Sequence, residues 1–452
     1  MLTRIDVRGR RGRALAEALP RPDDPGRGER DVVSSIIERV RRQGDRALVE
    51  LTRELDGIEV ARLAVPSADI HEALARIPEE LRQALLVAHR NIAAYHAHEM
   101  STVPDFVAHG IRVRHLIRPV ERVGCYAPGG RARYPSTVLM CAVPARVAGV
   151  EQVALCVPPR RDGTVDDATL AAAALAGVDE VYAVGGAQAI AAMAYGTETV
   201  RPVDVVVGPG NRYVAEAKRQ VAGTVGVASA FAGPSEVVVV AAPETPVAFA
   251  AIDLAVQAEH GPDGLAWLVT WSEATATAVE AALREIVERS ERREDLEATL
   301  ASGGYTCLVD GPEHAMDVAN VVAPEHLELL FDGAERLLER IWSAGAVFCG
   351  PWSPASLGDY VAGPNHVLPT NRTARFSSAL RADDFRRHLH SVSAEPAALE
   401  TLGPAAETLA VTEGLPAHAA SIALRRAALE AAQPAGEGHR EADGALEPAA
   451  ER

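Results

Sequence analysis

The stretch Val181-Tyr-Ala-Val-Gly-Gly-Ala-Gln-Ala-Ile190 joins a short apolar run to a glycine pair and the beginning of a helical pattern. Similar runs, each followed by a helical stretch, occur at Tyr126-Ala-Pro-Gly-Gly130, 153–157, Val205-Val-Val-Gly-Pro-Gly-Asn211 and 237–240. This alternation predicts βαβ units and therefore a parallel sheet. The glycine turns do not have the spacing GxGxxG, so the predicted module is Rossmann-like but incomplete.

A second alternating series begins near residue 246. Helical stretches at 246–259, 274–290 and about 313–320 alternate with apolar runs at 265–271, 305–309 and 346–349. Helical periodicity also precedes and follows the two series, at 33–55, 81–95 and about 383–431. The predicted fold class is therefore α/β, with two Rossmann-like parallel-sheet modules and helical N- and C-terminal segments.

The composition limits the classes of partner. With 452 residues, 48% of them hydrophobic and 24% charged, the chain has ordinary globular composition and is long enough for more than one core. A formal net charge of -17 argues against nucleic acid or an anionic membrane as a main partner and favours small molecules. No apolar run approaches the length of about 20 residues that spans a bilayer, and the N-terminus has no signal-peptide core. We therefore expect a cytoplasmic protein.

Cysteine and lysine are used sparingly. The five cysteines are scattered without CxxC spacing, which is typical of reduced and mostly buried thiols. Cys125 lies beside a glycine-rich turn, but the sequence offers it no recognisable base. Lys218 is the only lysine in a chain that otherwise uses arginine. This suggests that its ammonium is needed, although chance survival explains the pattern as well.

The stretch Ser356-Leu-Gly-Asp-Tyr-Val-Ala-Gly-Pro-Asn-His-Val-Leu-Pro-Thr370 places Asp359 and His366 in one loop. Its glycines and prolines forbid a continuous helix, so the backbone is suited to presenting side chains. A carboxylate and an imidazole are metal ligands or acid/base groups. The rest of the chain must supply their partners.

Two helix ends carry side chains that suit this role. Gln257 and His260 have i,i+3 spacing and share one helix face, which fits metal ligation, although an ordinary polar helix end has the same pattern. Pro324 suits the first position of a helix, and would place Glu325 and His326 in its first turn. The helix dipole would there favour an ionised Glu325 and a neutral, basic His326. A solvated first turn is the alternative.

The glycine turns at 129–130, 185–186 and 208–210 are arranged to present backbone N–H groups to phosphate. Tight helix–strand packing without any ligand requires the same glycines. Taken alone, Ser235 is typical of a turn, and His418, near the beginning of the last helix, is typical of a surface histidine.

Taken together, these motifs resemble the histidinol dehydrogenase family, the zinc-dependent enzymes of histidine biosynthesis. The resemblance runs from about residue 30 to about residue 428. It rests on an ordered set of motifs: Tyr-x-Pro-Gly-Gly, Val-Gly-Gly-Ala-Gln-Ala-Ile, Gly-Pro-Gly-Asn, Ala-Gly-Pro-Ser-Glu-Val, Gln-Ala-Glu-His-Gly-Pro, Pro-Glu-His-Leu, Gly-Asp-Tyr followed by Asn-His-Val-Leu-Pro-Thr, and Glu-x-Leu-x-Ala-His. An unrelated chain would hardly contain all of them in this order.

The resemblance implies the members of the site and their roles. It implies one zinc ion per subunit with four protein ligands, which are Gln257, His260, Asp359 and His418. It implies that the substrate contacts these four ligands and four further residues, which are Ser235, His326, His366 and Glu413. It implies NAD contacts by Tyr126, Gln188 and Asn211, and a catalytic pair formed by Glu325 and His326. Lys218 follows Asn211 by about two helical turns, and we hypothesise an electrostatic role for it near the cofactor phosphates.

The implied reaction is a four-electron oxidation of L-histidinol to L-histidine through L-histidinaldehyde, in which two NAD are reduced in turn. His326 would take the alcohol proton, Glu325 would activate water in the aldehyde step, and zinc would mainly orient the substrate. The family is homodimeric, so Glu413 and His418 would complete the site of the partner chain.

The resemblance also implies a domain division. Residues 122–240 would bind NAD, and residues 1–121 with 241–382 would form a discontinuous α/β domain that carries the catalytic and most zinc-binding residues. Residues 383–432 would be a helical dimerisation segment. Residues 433–452 are mainly Ala, Gly, Pro and Glu with few large apolar residues, and this composition predicts a disordered tail.

Two departures from the family pattern flank the substrate region. The chain has Ala228-Ser-Ala-Phe-Ala232 where the family commonly has an Ile-Asp-rich segment, and Asn371-Arg372 where many members have a glycine pair. They leave open a related dehydrogenase that acts on another amino alcohol or diol. From other classes, a zinc hydrolase and a non-catalytic metal-binding protein also remain as alternatives.

Overall fold

The structure is a computed structural model that describes residues 1–20, 27–129, 133–228, 235–259, 261 and 264–432. Its α-helices are α1 (Gly12–Ala18), α2 (Arg27–Gln43), α3 (Asp45–Asp56), α4 (Ser67–Arg76), α5 (Glu79–His98), α6 (Pro135–Val147), α7 (Asp167–Leu175), α8 (Gly186–Tyr195), α9 (Arg212–Val221), α10 (Val247–Ala258), α11 (Glu273–Arg289), α12 (Arg293–Gly303), α13 (Pro312–Val322), α14 (Ala355–Tyr360), α15 (Pro396–Thr412) and α16 (Pro416–Ala432). Short 3-10 helices are Ala334–Arg340, Thr373–Arg375 and Ala382–Phe385.

The β-strands are β1 (Thr3–Asp6), β2 (Phe106–Ala108), β3 (Ile111–Pro119), β4 (Arg122–Tyr126), β5 (Gln152–Val157), β6 (Glu180–Ala183), β7 (Val205–Val207), β8 (Gly226–Val227), β9 (Glu236–Val240), β10 (Leu265–Thr270), β11 (Gly304–Leu308), β12 (His326–Leu329), β13 (Ala346–Cys349) and β14 (Arg386–Ala394). Within the described residues these strands form three sheets.

The first parallel sheet has the order β6-β5-β4-β7-β8. In chain order, β5 and β6 are added on one side of β4, and β7 and β8 are then added on the other side. The order therefore reverses between β4 and β7, whose carboxyl ends lie at Tyr126 and just before Gly208. In open α/β sheets this reversal point is where ligands bind.

The second parallel sheet has the order β1-β11-β10-β9-β12-β13. Its strands are added in the same way. In chain order, β10 and β11 lie on one side of β9, β12 and β13 lie on the other side, and β1 lies at the edge next to β11. His326, the first residue of β12, pairs with Val237 on one side and Ala346 on the other. The amino ends of β9, β12 and β13 therefore lie side by side along one edge of the sheet.

Both faces of each parallel sheet are buried. This explains why the strands have continuous apolar sequences rather than alternating apolar and polar residues. The sheet β4–β8 shares one apolar cluster with helices α2 to α6, which includes Val33, Leu48, Ile92, Leu139 and Leu155. The second sheet has a separate cluster on each face. Trp267 and Val269 of β10 enter one, while Ala266 and Leu268 enter the other, as the two-residue period of a strand requires.

Contact density divides the described chain into two compact units, 1–101 with 119–387, and 102–118 with 388–432. The second unit contains the antiparallel pair β2–β3, which forms a sheet with β14, and the helical pair α15–α16. Arg426 and Glu407 join the two helices at 2.8 Å. Both parallel sheets lie in the first unit, so the domain boundaries after residues 121 and 240 stay a prediction.

The predicted α/β class with two parallel sheets is confirmed. Four local predictions were wrong. Asp359 lies in helix α14 (Ala355–Tyr360) and not in a loop. Residues 237–240 belong to the second sheet, not the first series, because β9 pairs with β10 and β12. Residues 386–394 form β14 rather than a helix, and the segment after Pro324 is strand β12. The predicted tail at 433–452 lies outside the described residues. No helix in the described ranges is long and apolar enough to cross a membrane.

Candidate active site

Glu325 and His326 open a buried strand, not a helix. Helix α13 ends at Val322, and Ala323 takes the left-handed conformation (φ 51°) that terminates it. The following apolar residues Leu327 and Leu329 are drawn into the sheet between β9 and β13. Tertiary pairing has overridden the helix-start signal of Pro324, so the predicted helix-dipole effect on this pair is absent.

Glu325 is held by the beginning of β9, the neighbouring strand. Its Oε2 accepts hydrogen bonds from the Ser235 hydroxyl and from the backbone N–H of Glu236, the latter at 3.2 Å. The same hydroxyl lies 3.4 Å from Oε1 of Gln257, which is buried near the end of α10. Ser235, Gln257 and Glu325 therefore meet at the amino edge of the second sheet.

His326 lies between two carboxylates. Its Nδ1 is 3.6 Å from Oε2 of Glu325, and its Nε2 is 3.3 Å from Oδ1 of Asp359 on α14. Burial lowers the pKa of His326, but the negative charges of Glu325 and Asp359 outweigh this and raise its pKa to about 9. The imidazole is therefore protonated near neutral pH in the protein alone, contrary to the neutral base that the sequence predicts.

His366 is held by two contacts and stays neutral. Its Nδ1 lies 2.7 Å from the backbone carbonyl of Asp359, which can only accept, so Nδ1 carries the proton. Its Nε2 is then free to accept from the Thr137 hydroxyl of α6 at 3.1 Å. Burial lowers the pKa of His366. The loop after α14 joins His366 to Asp359, but Asp359 itself lies on α14 and not in the loop that the sequence predicts.

The structure describes three of the four predicted zinc ligands. His260 lies outside the described residues, and His418 is exposed on α16 in the second unit, as is Glu413 just before that helix. Among the described ranges no three His, Cys, Asp or Glu side chains cluster as a metal site. The buried amide of Gln257 nevertheless keeps its Nε2 without a partner among the described residues. A flipped amide presents oxygen there, and an amide oxygen is a suitable cation ligand.

The predicted cofactor residues Tyr126 and Gln188 lie at the carboxyl edge of the first sheet. The Tyr126 hydroxyl, at the end of β4, accepts from the backbone N–H of Gly186 at the start of α8 at 3.1 Å. Gln188 follows in the first turn of α8, with a buried Oε1 that has no partner in the described part of the chain. A buried, unpaired amide oxygen at this edge is suited to a ligand donor.

Asn211 and Lys218 support the turn after β7. The Asn211 side chain caps α9 by accepting from the N–H groups of Tyr213 and Val214, at 3.0 and 3.1 Å. Lys218 is fully buried, and its Nζ donates to the carbonyl of Gly208. Gly208 (φ 107°) has no room for a side chain, because a Cβ would lie 2.0 Å from the Tyr126 carbonyl oxygen. The lysine thus anchors the turn rather than facing an open phosphate pocket.

Comparison with known proteins decides the family. The sequence model of the histidinol dehydrogenase family matches residues 20–426. The chain is 47% identical over 397 residues to the histidinol dehydrogenase of Parasynechococcus marenigrum and 45% identical over 406 residues to that of Gluconobacter oxydans, covering 87% and 88% of this chain and 90% and 94% of those proteins. The crystal structure of histidinol dehydrogenase from Elizabethkingia anophelis superposes with a TM-score of 0.90 and 33% identity, over 95% of this chain and 99% of that one.

The chain belongs to the histidinol dehydrogenase family. The resemblance stated from the motifs is thereby confirmed, and the chain is an oxidoreductase of the dehydrogenase class. The hydrolase and the non-catalytic metal-binding protein are set aside.

The histidinol dehydrogenase pattern of a glycine pair at 371–372 now has a backbone explanation. Asn371 and Arg372 both adopt the left-handed conformation, with φ of 51° and 63°. Glycine takes this conformation at little cost, Asn tolerates it, and Arg is strained. The departure therefore changes the cost of a turn, and the charge of Arg372 also acts on the buried carboxyl of Glu236, next to Ser235. The other departure falls mostly in 229–234, outside the described residues.

Sequence reasoning missed several residues of this candidate site. Thr137 carries no motif, so only the structure shows its contact with His366. Glu328 stands two residues after His326, and Asp253 one helical turn before Gln257. Recognition of β12 as a strand would have placed Glu328 on the same face as His326. Cys125 is fully buried with its pKa raised well above the usual range by burial, so it is not a nucleophile.

Proposed function

We propose that this protein oxidises L-histidinol to L-histidine through L-histidinaldehyde, with two NAD and one zinc ion per subunit. The observation that carries the proposal is the position of His326 between Glu325 and Asp359, in a chain of the histidinol dehydrogenase family.

Gln257, His260, Asp359 and His418 are the proposed zinc ligands, and Tyr126, Gln188 and Asn211 the proposed NAD contacts. When bound, zinc orients the amino alcohol, and NAD accepts a hydride in each of the two oxidations. Engaging the Asp359 carboxylate with a cation weakens the interaction that keeps the proton on His326. The pKa of His326 then falls towards the range of a general base.

His326 and Glu325 take separate proton-transfer roles in the proposal. His326 removes the hydroxyl proton of the alcohol in the first oxidation. Glu325, oriented by Ser235 and the N–H of Glu236, removes a proton from the water that adds to the aldehyde. Ser235 and His366 contact the substrate, and His366, kept neutral with its proton on Nδ1, can only accept a hydrogen bond at Nε2.

The second unit supports a shared site in a homodimer. Its helices expose large apolar side chains, with 64% of Leu409, 66% of Val411 and 71% of Leu424 accessible, and α16 buries none of its residues. A second copy of the chain would cover them. We propose that Glu413 and His418 act in the site of the partner. The free state of all five cysteines fits the reducing cytoplasm as the location.

The first test is NADH formation by the purified protein, with zinc supplied, from L-histidinol and a panel of other amino alcohols and diols. We expect two NADH per L-histidinol, no better substrate in the panel, and loss of activity with a chelator. Absence of NADH from L-histidinol overturns the proposal.

The sharing of the site is tested by mixing two chains that each fail to form L-histidine. A Glu325→Gln chain and a His418→Asn chain form hybrid dimers after refolding together. If His418 acts in the partner's site, one of the two sites in each hybrid is intact and activity returns. If His418 acts in its own chain, both sites stay defective and the mixture remains inactive.

A further inference from the structure

The short helix α14 is held at both ends by strand β12. His326 and Glu328 are two residues apart and point to the same face of the strand. Oε1 of Glu328 accepts the backbone N–H of Ala355, the first residue of α14, at 2.7 Å. Nε2 of His326 lies 3.3 Å from Oδ1 of Asp359, near the last residue of the same helix.

The distance from His326 to Glu328 along β12 matches the distance from Asp359 to Ala355 along α14. Two residues of a strand advance by about 6.8 Å, and the four residues from Ala355 to Asp359 advance by about 6 Å along a helix. The helix therefore runs antiparallel to β12, with Glu328 at its amino end and His326 at its carboxyl end. A shift of either end would move Asp359 relative to His326.

Helix α14 has little to hold it by itself. It has six residues, and its N-cap, Pro354, provides no side-chain hydrogen bond. Gly358 contacts the ring of Phe348 in β13, where a Cβ would lie 2.6 Å from Cε1. The carboxyl of Glu328, which is 1% exposed, thus takes the place of an N-cap from outside the helix.

Glu328 also faces the helix that carries Gln257. Its buried carboxyl lies near that of Asp253 in α10, one turn before Gln257. Burial and the neighbouring Asp253 raise the pKa of Glu328 to about 8, so its carboxyl keeps a proton near neutral pH. A protonated carboxyl can lie against Asp253 without charge repulsion.

We propose that Glu328 is a positioning residue that fixes the amino end of α14 and thereby sets Asp359 against His326. The inference rests on the proposed function, in which Asp359 is a zinc ligand and His326 the base. Glu328 itself touches neither substrate nor cofactor. It acts through the helix that it caps.

The test compares Glu328→Met, which removes the acceptor at similar length, with Glu328→Gln, which keeps it. Three quantities are measured: deuterium exchange of the α14 amides without added metal, zinc affinity by chelator competition, and kcat with KM. For Glu328→Met we expect faster exchange in α14 and a loss of about 10- to 100-fold in zinc affinity and kcat, as for other groups that orient metal ligands. KM for NAD should not change, and Glu328→Gln should stay close to the wild type.

Ala355→Pro tests the same bond from the donor side. Proline is tolerated at the first position of a helix and removes only the N–H. It should reproduce the losses of Glu328→Met, and the double variant should be no worse than the more damaged single one. If Glu328→Met does not fold, Ala355→Pro decides the question.

Asp166→Leu is the matched control. Asp166 is also a buried carboxylate that accepts backbone N–H groups at the start of a helix, α7, at 3.1 Å. It should lower stability without changing zinc affinity. The inference is overturned if Glu328→Met retains wild-type exchange and zinc affinity, or if Glu328→Gln is as impaired as Glu328→Met. If the wild type forms no NADH from L-histidinol, the proposed function fails. Deuterium exchange of the α14 amides still decides whether Glu328 fixes this helix.

Discussion

The only lysine of the chain makes a sharp prediction about stability. Lys218 is fully buried, and burial lowers its pKa from 10.5 to about 8. A shift of this size corresponds to about 3 kcal/mol between the charged and neutral forms. The Lys218→Met variant removes this penalty, but it also leaves the carbonyl of Gly208 without its donor, which costs about 1–3 kcal/mol. Near pH 7 the two changes oppose each other, so we expect little net change in the free energy of unfolding.

The sign of the pH dependence follows from proton binding. Between pH 8 and 10.5 the unfolded chain keeps the lysine proton that the folded chain has lost. The stability of the wild type therefore rises with pH across this window relative to the variant, by up to about 3 kcal/mol. Below pH 8 both states are protonated and the difference is constant.

The assay is urea unfolding of the wild type and Lys218→Met at a fixed protein concentration, from pH 7 to pH 10.5. Taking the difference between the two proteins cancels the other groups that titrate in this range. Parallel pH profiles would refute the buried-ammonium argument. The same variant should raise KM for NAD, because the Gly208–Asn211 turn loses its anchor. An unchanged KM for NAD would refute the link between Lys218 and the cofactor.

Four further predictions concern the site and the thiols. Glu325→Gln should lower the rate of the aldehyde step by about 10²–10⁴-fold, measured with L-histidinaldehyde as substrate. An equal loss in the rate of alcohol oxidation would contradict the role of Glu325 in the aldehyde step. Asn211→Ala should raise KM for NAD and also lower the melting temperature through loss of the α9 cap, whereas Asn211→Asp should keep the cap. Asp359→Asn should lower the pKa of His326 from about 9, because one of its two carboxylates is neutralised, as followed by NMR titration of metal-free protein. The buried thiols should react with a thiol reagent only on unfolding, since burial raises the pKa of Cys141 and Cys156 to about 12, and rapid native labelling of either would contradict this.

The sequence was sufficient to predict the structure where the local pattern of residues agrees with their burial. Valine runs such as 205–207 can be buried on both faces only in a covered parallel sheet, so the α/β class followed from periodicity alone. The closeness of Asp359 and His366 also followed from their short separation along the chain, although Asp359 lies on α14 and not in the predicted loop.

Tertiary structure decided where local signals conflict or are silent. Pro324 is an ordinary helix-start signal, yet Glu325 and His326 enter a strand because pairing with β9 and β13 buries Leu327 and Leu329. That change reverses the predicted charge of His326, since two carboxylates and not a helix dipole set its pKa. Glu328 and Ala355 are 27 residues apart, and no periodicity within either segment announces their hydrogen bond. The sequence by itself determined the class of fold and the family, because both depend on patterns along the chain. Which groups are charged, and what holds Asp359 against His326, depend on contacts between distant segments and could be found only in three dimensions.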